Sequence, residues 1–537
     1  MLDDVAPRAP GPIAVGRVAR RGMAWMLLGT IVTKIASVLA QLILAWLLAP
    51  KDFGLYAAAI GVAGFITAFS DAGVPTYLVR HGRSQYASLA APVFWLALTV
   101  NSIAAALLVG VGVAIGVWRS RAGGGSDSPF AHPEFPGLLF VIALSMPLAT
   151  PGGITRTLMR LDLRFGELSA LTAVLALCRY VGSTILALLG AGAQSFVLPM
   201  LLVAIVQWVW TQISTRDKCW IGPPAFARWP GILCETRWLL LGTLGSVIYS
   251  AASYFCVALF VSAATVGVFF FAYQMTQQVG ALVTTNTQAV LAPVFVHIRD
   301  QEERLREAAL RTLRVLMVFA VPLMLGLAVV FDPMERAFLG GRWREAVVPV
   351  MVFGALTPLA LTWGLTASIY NSTGRFKQWA LGSIGEGAFV TAGSALGAVI
   401  GGSALSISIA SACCVCVSRL LFTLHSMKVL GVRPAAAIGT CLGAWAIGLV
   451  CAPAAILIAD LLAGRIPVLA FFARGLVFCA MFAVGTRLIL PSSIVDALSM
   501  APARWQKVFR RAIRLRTSET DRAFEVAAVM KGENAHR

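Results

Sequence analysis

Charged and amide side chains inside apolar segments are the residues of this chain whose chemistry needs an explanation. Lys34 lies at the centre of the first apolar segment, and Ser37 and Gln41 follow it at spacings of three and four residues. Residues at these spacings share one face of a helix, and an ionised side chain at mid-bilayer costs about 2.5–3.5 kcal/mol. The stripe therefore predicts a hydrated, cationic surface that binds anionic groups such as phosphate.

Other apolar segments carry side chains of the same kind. Arg179 and Glu386 lie near the middle of their segments, and Arg419 lies toward one end of its own. The sequence leaves open whether Glu386 and Arg419 instead form a structural ion pair, and the same alternative holds for Asp71 and nearby Arg80. We predict a single cationic cavity for a substrate with phosphate and sugar groups. The residues assigned to it are Lys34, Ser37, Gln41, Asp71, Arg179, Gln274, Gln278, Asn286, Glu386 and Arg419.

The composition places these residues in a membrane protein. Of 537 residues, 58% are hydrophobic and 12% are charged, and the mean hydropathy is +0.82. Soluble domains have about 45–50% apolar and about 25% charged residues, and disordered chains are poor in hydrophobic residues. The apolar runs are continuous and reach the roughly 20 residues that a membrane-spanning helix needs, whereas barrel strands alternate over about ten. We predict an all-α polytopic membrane protein.

Hydropathy predicts fourteen transmembrane helices, with twelve as the nearest alternative. If both termini are cytoplasmic, the cytoplasmic segments contain 32 of the 43 Lys and Arg residues and the opposite loops contain 7. The positive-inside rule then predicts a multi-pass protein of the bacterial inner membrane with both termini in the cytoplasm. The predicted segments are 23–48, 54–78, 89–118, 136–158, 167–189, 195–214, 238–260, 266–294, 312–331, 346–370, 378–400, 404–426, 436–461 and 469–490.

The chain also resembles itself at a spacing of about 211 residues. Pro147-Leu148-Ala149 recurs as Pro358-Leu359-Ala360, and Arg164-Phe165 recurs as Arg375-Phe376. This predicts two parallel six-helix repeats with two appended C-terminal helices, an arrangement of transporters that have their substrate site between the halves. The predicted regions are a cytoplasmic N-terminus (1–22), an N-terminal lobe (23–214), a cytoplasmic linker (215–237), a C-terminal lobe (238–426), helices 13 and 14 (436–490) and a basic cytoplasmic tail (491–537).

Two smaller patterns predict moving or membrane-bound parts. Gly54 and Gly267 occupy matching positions at the start of helices 2 and 8, which makes them hinge candidates, either close helix contacts or bending points. In the tail, residues 504–516 place apolar side chains on one face and basic side chains around it. This predicts an amphipathic helix that binds an anionic membrane surface.

The sequence also argues against several classes of site. The closely spaced Cys413, Cys414 and Cys416 lie in an apolar segment with no His beside them, so we expect small buried cysteines and no metal site. No phosphate-binding loop motif is present, and we predict no cofactor, which leaves an ion gradient, the membrane potential or removal of product as the energy source. The basic residues lie in short loops and the tail, so we expect no nucleic-acid partner.

Residues 21–80 resemble a known family most specifically. The segments 21–25 (RGMAW), 47–56 (LLAPKDFGLY), 69–74 (FSDAGV) and 78–80 (LVR) are similar to those of the polysaccharide-transport flippases. This family belongs to the superfamily that includes multidrug extruders and lipid II flippases. The resemblance implies flipping of an undecaprenyl-pyrophosphate-linked oligosaccharide to the periplasmic leaflet, for exopolysaccharide, capsule or O-antigen. It implies that the pyrophosphate binds in a cationic lumen, which matches Lys34, Arg179 and Arg419.

The same resemblance suggests the partners and the alternatives. The implied partners are the lipid-linked oligosaccharide, membrane lipids, and a polysaccharide polymerase with its chain-length machinery. One alternative is a multidrug extruder of the same fold, which typically has carboxylates in its cavity. The other is a membrane polysaccharide polymerase or ligase, but the longest external loop, 119–135, is short for a catalytic domain. We therefore expect a transporter and not an enzyme.

Overall fold

The computed structural model describes most of the chain as helices packed into two compact units. The units are Met1–Gly267 and Val268–Arg537. The predictions for 1–22, Asp71 and 504–516 lie outside the described residues, and so does the side chain of Asn286. The described residues are 33–34, 36–70, 74–122, 127–463, 466–493 and 496.

The first unit is built from long apolar helices joined by short connections. α3 changes direction at Gly82, whose φ of 78° lies in the left-handed region that glycine adopts without strain. α7 continues into α8 through a π turn at Ile248–Ala252. The helices are α1 (Ala36–Leu47), α2 (Pro50–Ser70), α3 (Val74–Ala122), α4 (Phe135–Leu161), α5 (Phe165–Leu188), α6 (Gln194–Thr215), α7 (Trp229–Val247), α8 (Ser253–Ala258) and the start of α9 (Ala263–His297).

In the second unit, one amphipathic helix organises the core. The apolar face of α10 packs against α15 and α16, and Leu313, Val321, Phe478 and Phe482 are buried there. Many large apolar side chains elsewhere on these helices are exposed, as on Ile400, which suits a surface in contact with lipid. The helices after α9 are α10 (Glu302–Met334), α11 (Arg344–Leu356), α12 (Trp363–Ser372), α13 (Phe376–Gly401), α14 (Ala404–Val429), α15 (Pro434–Ala463) and α16 (Pro467–Ile489).

One of the predicted transmembrane segments in the second unit is broken. α11 and α12 are bent by 53°, and the 3-10 turn Pro358–Thr362 joins them. Proline has no N–H and clashes with the preceding turn, so Pro358 marks a position where the helix can break. The repeat counterpart α4 contains Pro147 and still remains one helix.

Nine of the described helices are long and apolar enough to cross a membrane, and the bent α11–α12 pair would be a tenth. These ten coincide with ten of the fourteen predicted segments. The other four overlap α1, α2, α7 with α8, and α9. The polytopic, all-helical fold is as predicted, and the count of fourteen stays a prediction.

The predicted lobes and the compact units are divided at different places. The repeat places the boundary in the linker 215–237, whereas packing places it after Gly267, so that α7 and α8 belong to the first unit. An internal repeat and a compact unit are different properties of a chain. The predicted regions therefore remain a prediction about the repeat.

Candidate functional site

The Lys34 stripe lies at the beginning of the described chain. Lys34 is helical and half-buried, Ser37 on α1 is buried, and Gln41 is half-buried. A half-buried lysine packs its aliphatic stem against protein while its ammonium remains available to a polar partner. The local geometry is compatible with anion binding, and that role stays a prediction.

Arg179 is the second cation of the first unit that was assigned to the cavity. It is exposed on α5, and its guanidinium donates a hydrogen bond of 3.4 Å to the hydroxyl of Tyr56 on α2. The Tyr56 ring stacks on Phe196 of α6 with 4.6 Å between centroids, which fixes the hydroxyl. A guanidinium has five N–H donors, so Arg179 retains donors for an anion.

The remaining predicted cavity residues belong mainly to the second unit. Gln274 and Gln278 are half-buried on α9, four residues apart and therefore on one face. Glu386 and Arg419 are in the same unit. Lys34, Ser37, Gln41 and Arg179 are in the first unit, and a single cavity formed by all these residues stays a prediction.

Glu386 of α13 and Arg419 of α14 form a buried ion pair. The Arg419 Nε lies 2.6 Å from the Glu386 Oε1, and the side chains are 7% and 4% exposed. The Ser418 hydroxyl donates to the same carboxylate oxygen at 3.4 Å, and the guanidinium lies 4.4 Å from the centre of the Trp363 ring. Both charges are compensated locally, so this geometry fits the alternative that the two residues are structural partners.

A groove of about 530 Å³ runs along α13 and α14 beside this pair. Most of its wall is apolar, and a side chain at Gly385 would meet nothing within 4 Å there. Such a surface suits an apolar chain better than a sugar. Its lining residues are Gln378, Leu381, Gly382, Gly385, Glu386, Phe389, Val417, Ser418, Leu421, Phe422 and His425.

Gly54 and Gly267, the hinge candidates, contact each other directly in the first unit. A Cβ at Gly54 would lie 1.8 Å from the carbonyl oxygen of Ala263, and a Cβ at Gly267 would lie 1.8 Å from that of Pro50. In each case the added Cβ would lie 2.9 Å from the backbone nitrogen of the other glycine. Only glycine allows the backbones to approach this closely. The structure thus shows a close helix contact, and a bending role stays a prediction.

Sequence reasoning missed a buried ion cluster after α16. The carboxylate of Asp496 lies 3.0 Å from Nε of Arg311 and 3.3 Å from Nε of Arg314, both on α10. Burial raises the pKa of Asp496, and the two arginines oppose that rise. The available signal was the pair of arginines three residues apart where the charged first turns of α10 meet its apolar part. Their acidic partner is far away in sequence.

Arg474 of α16 has two acidic partners, which sequence reasoning also missed. It lies 2.8 Å from Asp460 of α15 and 3.4 Å from Asp332 of α10, and this joins three helices at one end of the second unit. The pair Asp460–Arg474 spans a helix connection, so only helix packing could reveal it.

The cysteines form no metal centre in the described part of the chain, where no group of three potential ligands occurs. The expectation that Cys413, Cys414 and Cys416 are all buried is wrong, because Cys413 is exposed and the other two are half-buried. Cys219, in the connection between α6 and α7, is buried beside the Thr155 hydroxyl at 3.8 Å. Burial raises the pKa of its thiol to about 12, so Cys219 is a poor nucleophile.

Comparison with solved structures identifies the fold. The chain matches a structure of the lipid II flippase MurJ in an inward closed conformation, with a TM-score of 0.64, 14% identity, and coverage of 87% of this chain and 99% of that one. It also matches an inward-facing multidrug resistance MATE family transporter, with a TM-score of 0.53, 14% identity, and coverage of 74% and 94%. The chain therefore shares the polytopic helical fold of these two proteins.

Sequence comparison identifies the family. Residues 43–348 match the profile of the family described as "Polysaccharide biosynthesis protein", and the chain belongs to that family. It is 23% identical to the succinoglycan biosynthesis transport protein ExoT of Rhizobium meliloti over 65% of this chain and 68% of that protein. It is 20% identical to the lipopolysaccharide biosynthesis protein WzxC of Escherichia coli over 66% and 68%. The predicted family is confirmed.

Proposed function

We propose that this membrane transporter is a flippase for undecaprenyl-pyrophosphate-linked oligosaccharide repeat units in exopolysaccharide, capsule or O-antigen synthesis. Membership of the polysaccharide biosynthesis family carries the proposal. Two relatives are named for succinoglycan transport and lipopolysaccharide biosynthesis, and a lipid II flippase shares the fold.

The proposed mechanism is alternating access through a cationic cavity in the bacterial inner membrane. The half-buried Lys34 and the accessible guanidinium of Arg179 are the groups that would bind the pyrophosphate. Cationic donors form short, charge-assisted hydrogen bonds with phosphate oxygens. The exposed side of α5 and the α1 stripe therefore carry the chemistry that such a substrate requires.

The charges of the second unit support the flippase over the multidrug extruder. Such an extruder typically has carboxylates in its cavity for cation coupling, and Glu386 is instead buried against Arg419. Asp460 and Asp496 likewise have arginine partners. These three carboxylates of the second unit are therefore committed to ion pairs in the described structure.

Deletion of the gene tests the proposed direction of transport. We expect lipid-linked single repeat units to accumulate on the cytoplasmic leaflet, inaccessible to a periplasmic glycan-modifying enzyme in intact spheroplasts. Complementation with the wild-type protein is the control. Accumulation on the periplasmic leaflet would instead support the polymerase or ligase alternative.

A further inference from the structure

Several buried hydrogen-bond donors in the first unit have no partner. Three of them, Nε of Arg156 on α4, Oγ of Ser169 on α5 and Nε2 of Gln212 on α6, lie on consecutive helices and have no hydrogen bond in the described part of the chain; Oγ of Ser195 and Nε1 of Trp210 on α6 are two others. Buried polar groups are nearly always paired with protein, water or ligand. Unpartnered donors on three consecutive helices therefore point to an acceptor that binds there.

Helix packing places these donors at one level. Gly152 of α4 packs against Trp208 of α6, where an added Cβ would lie 3.0 Å from the backbone nitrogen. Short connections make α4 and α6 parallel. Arg156 follows Gly152 by four residues and Gln212 follows Trp208 by four, so Arg156 and Gln212 are at the same level. On α5, the Thr172 hydroxyl accepts a hydrogen bond of 3.0 Å from Nη2 of Arg156, and Ser169 is one turn away.

The charge at this level is positive and uncompensated. Arg160 is exposed and follows Arg156 by four residues, so both lie on one face of α4. Of the neighbouring carboxylates, Asp162 pairs with Arg83 at 2.7 Å and Glu167 pairs with Arg164 at 2.6 Å. Asp217, beyond the end of α6, accepts a hydrogen bond of 2.6 Å from the Tyr86 hydroxyl. Neither Arg156 nor Arg160 has an acidic partner within the described ranges. Two like charges with free donors favour an anion as the missing acceptor.

We propose that Arg156, Arg160, Ser169 and Gln212 bind the diphosphate group of the transported lipid before translocation. The guanidiniums neutralise the anion, and the hydroxyl and the amide donate to its oxygens. Arg156 lies five residues before the end of α4, a depth of about 8 Å, on the side that the charge count assigns to the cytoplasm. Binding of the anion is independent of the proposed function, whereas the role in substrate capture rests on it.

The internal repeat shows that these arginines are not needed for the helix fold. At the repeat spacing, Arg156 and Arg160 correspond to the neutral Ala367 and Asn371 on α12. The corresponding helix of the second copy forms without them. A function restricted to the first copy explains the difference.

Binding of inorganic pyrophosphate to the full-length protein in zwitterionic nanodiscs tests the site. Arg156→Gln should raise Kd about tenfold, equivalent to about 1.4 kcal/mol. Ser169→Ala removes only an unpartnered hydroxyl, so it should leave the thermal stability unchanged and raise Kd severalfold. Arg121→Gln is the matched control, because it removes the same charge from an exposed arginine in the last turn of α3, on the side opposite the predicted cytoplasmic loops. Equal Kd values for all four proteins would overturn the proposal.

Two further measurements separate the possible sources of the phosphate and the possible failures. If phosphatidylglycerol abolishes pyrophosphate binding and stabilises the wild type but not Arg156→Gln, the occupant is a bilayer phospholipid and the assignment to the transported lipid is overturned. In reconstituted vesicles, Arg156→Gln should slow translocation at limiting lipid-linked substrate and approach the wild-type rate at saturation. Equal rates at limiting substrate would overturn the capture role. A wild type that does not translocate would overturn the proposed function without affecting the pyrophosphate result.

Discussion

Removing one partner of the Glu386–Arg419 pair should destabilise the protein far more than removing both. With both side chains less than 10% exposed and 2.6 Å between Nε and Oε1, Glu386→Ala leaves a guanidinium in an apolar environment without its counter-charge. Breaking a buried pair in this way costs about 3–5 kcal/mol, which is roughly two to three and a half powers of ten in the folding equilibrium.

The double variant Glu386→Ala/Arg419→Met removes both charges and keeps an apolar side chain over Trp363. Replacement of a whole buried pair is often neutral, although the cation–π contact at 4.4 Å is lost, at a cost of about 0.5–2 kcal/mol. We therefore expect the double variant to lie within about 2 kcal/mol of the wild type.

A double-mutant cycle compares the wild type, Glu386→Ala, Arg419→Met and the double variant. Denaturant titration of these four proteins in one mild detergent measures it. A coupling free energy of at least about 2 kcal/mol is expected, because the single costs greatly exceed the double. Additive costs, or single variants within about 1 kcal/mol of the wild type, would refute the buried pair as a structural element.

Three further predictions concern other parts of the chain. Gly54→Ala should destabilise the protein by about 1–3 kcal/mol or more, because its Cβ would lie 1.8 Å from the Ala263 oxygen. The control Gly153→Ala meets nothing within 4 Å and should stabilise α4 by about 0.5–1 kcal/mol, so equal thermal shifts of the two variants would contradict this prediction. Cys219 should resist maleimide at pH 8 while the exposed Cys234 reacts, and rapid labelling of native Cys219 would contradict this. The stability of the protein should fall as pH rises between 9 and about 12, because in this range only the unfolded chain releases the thiol proton of Cys219. Asp496→Ala should lower Tm because it leaves the buried Arg311 without the acidic partner at 3.0 Å, and an unchanged Tm would contradict the ion cluster.

The sequence was sufficient for those features of the fold that depend on local hydrophobicity. Long apolar runs predicted the helical membrane fold, and the segments 21–25, 47–56, 69–74 and 78–80 predicted the family. The break between α11 and α12 was not predicted, because Pro147 occupies the matching position of an unbroken α4. Proline indicates where a helix can break, and packing decides whether it does.

The candidate site was less predictable because it depends on contacts between distant residues. The sequence identified Glu386 and Arg419 as charged residues inside apolar segments, and left open whether they line a cavity or form an ion pair. The 2.6 Å contact between them fits the ion pair. Arg156 was counted only as an orientation signal. The folded chain shows that Nη2 of Arg156 donates to Thr172 while its Nε has no partner, and that Asp162 and Glu167 pair with other arginines.

Translocation by the purified protein tests the central claim most directly. Vesicles containing the wild type should move a fluorescent undecaprenyl-pyrophosphate-linked oligosaccharide between leaflets, as measured by loss of accessibility to an external quencher. Lys34→Ala should abolish this movement at normal protein levels, and Lys34→Arg should retain part of it because the charge is kept. Wild-type vesicles no faster than protein-free vesicles would contradict the flippase assignment, and full activity of Lys34→Ala would contradict the role of Lys34 in binding the pyrophosphate.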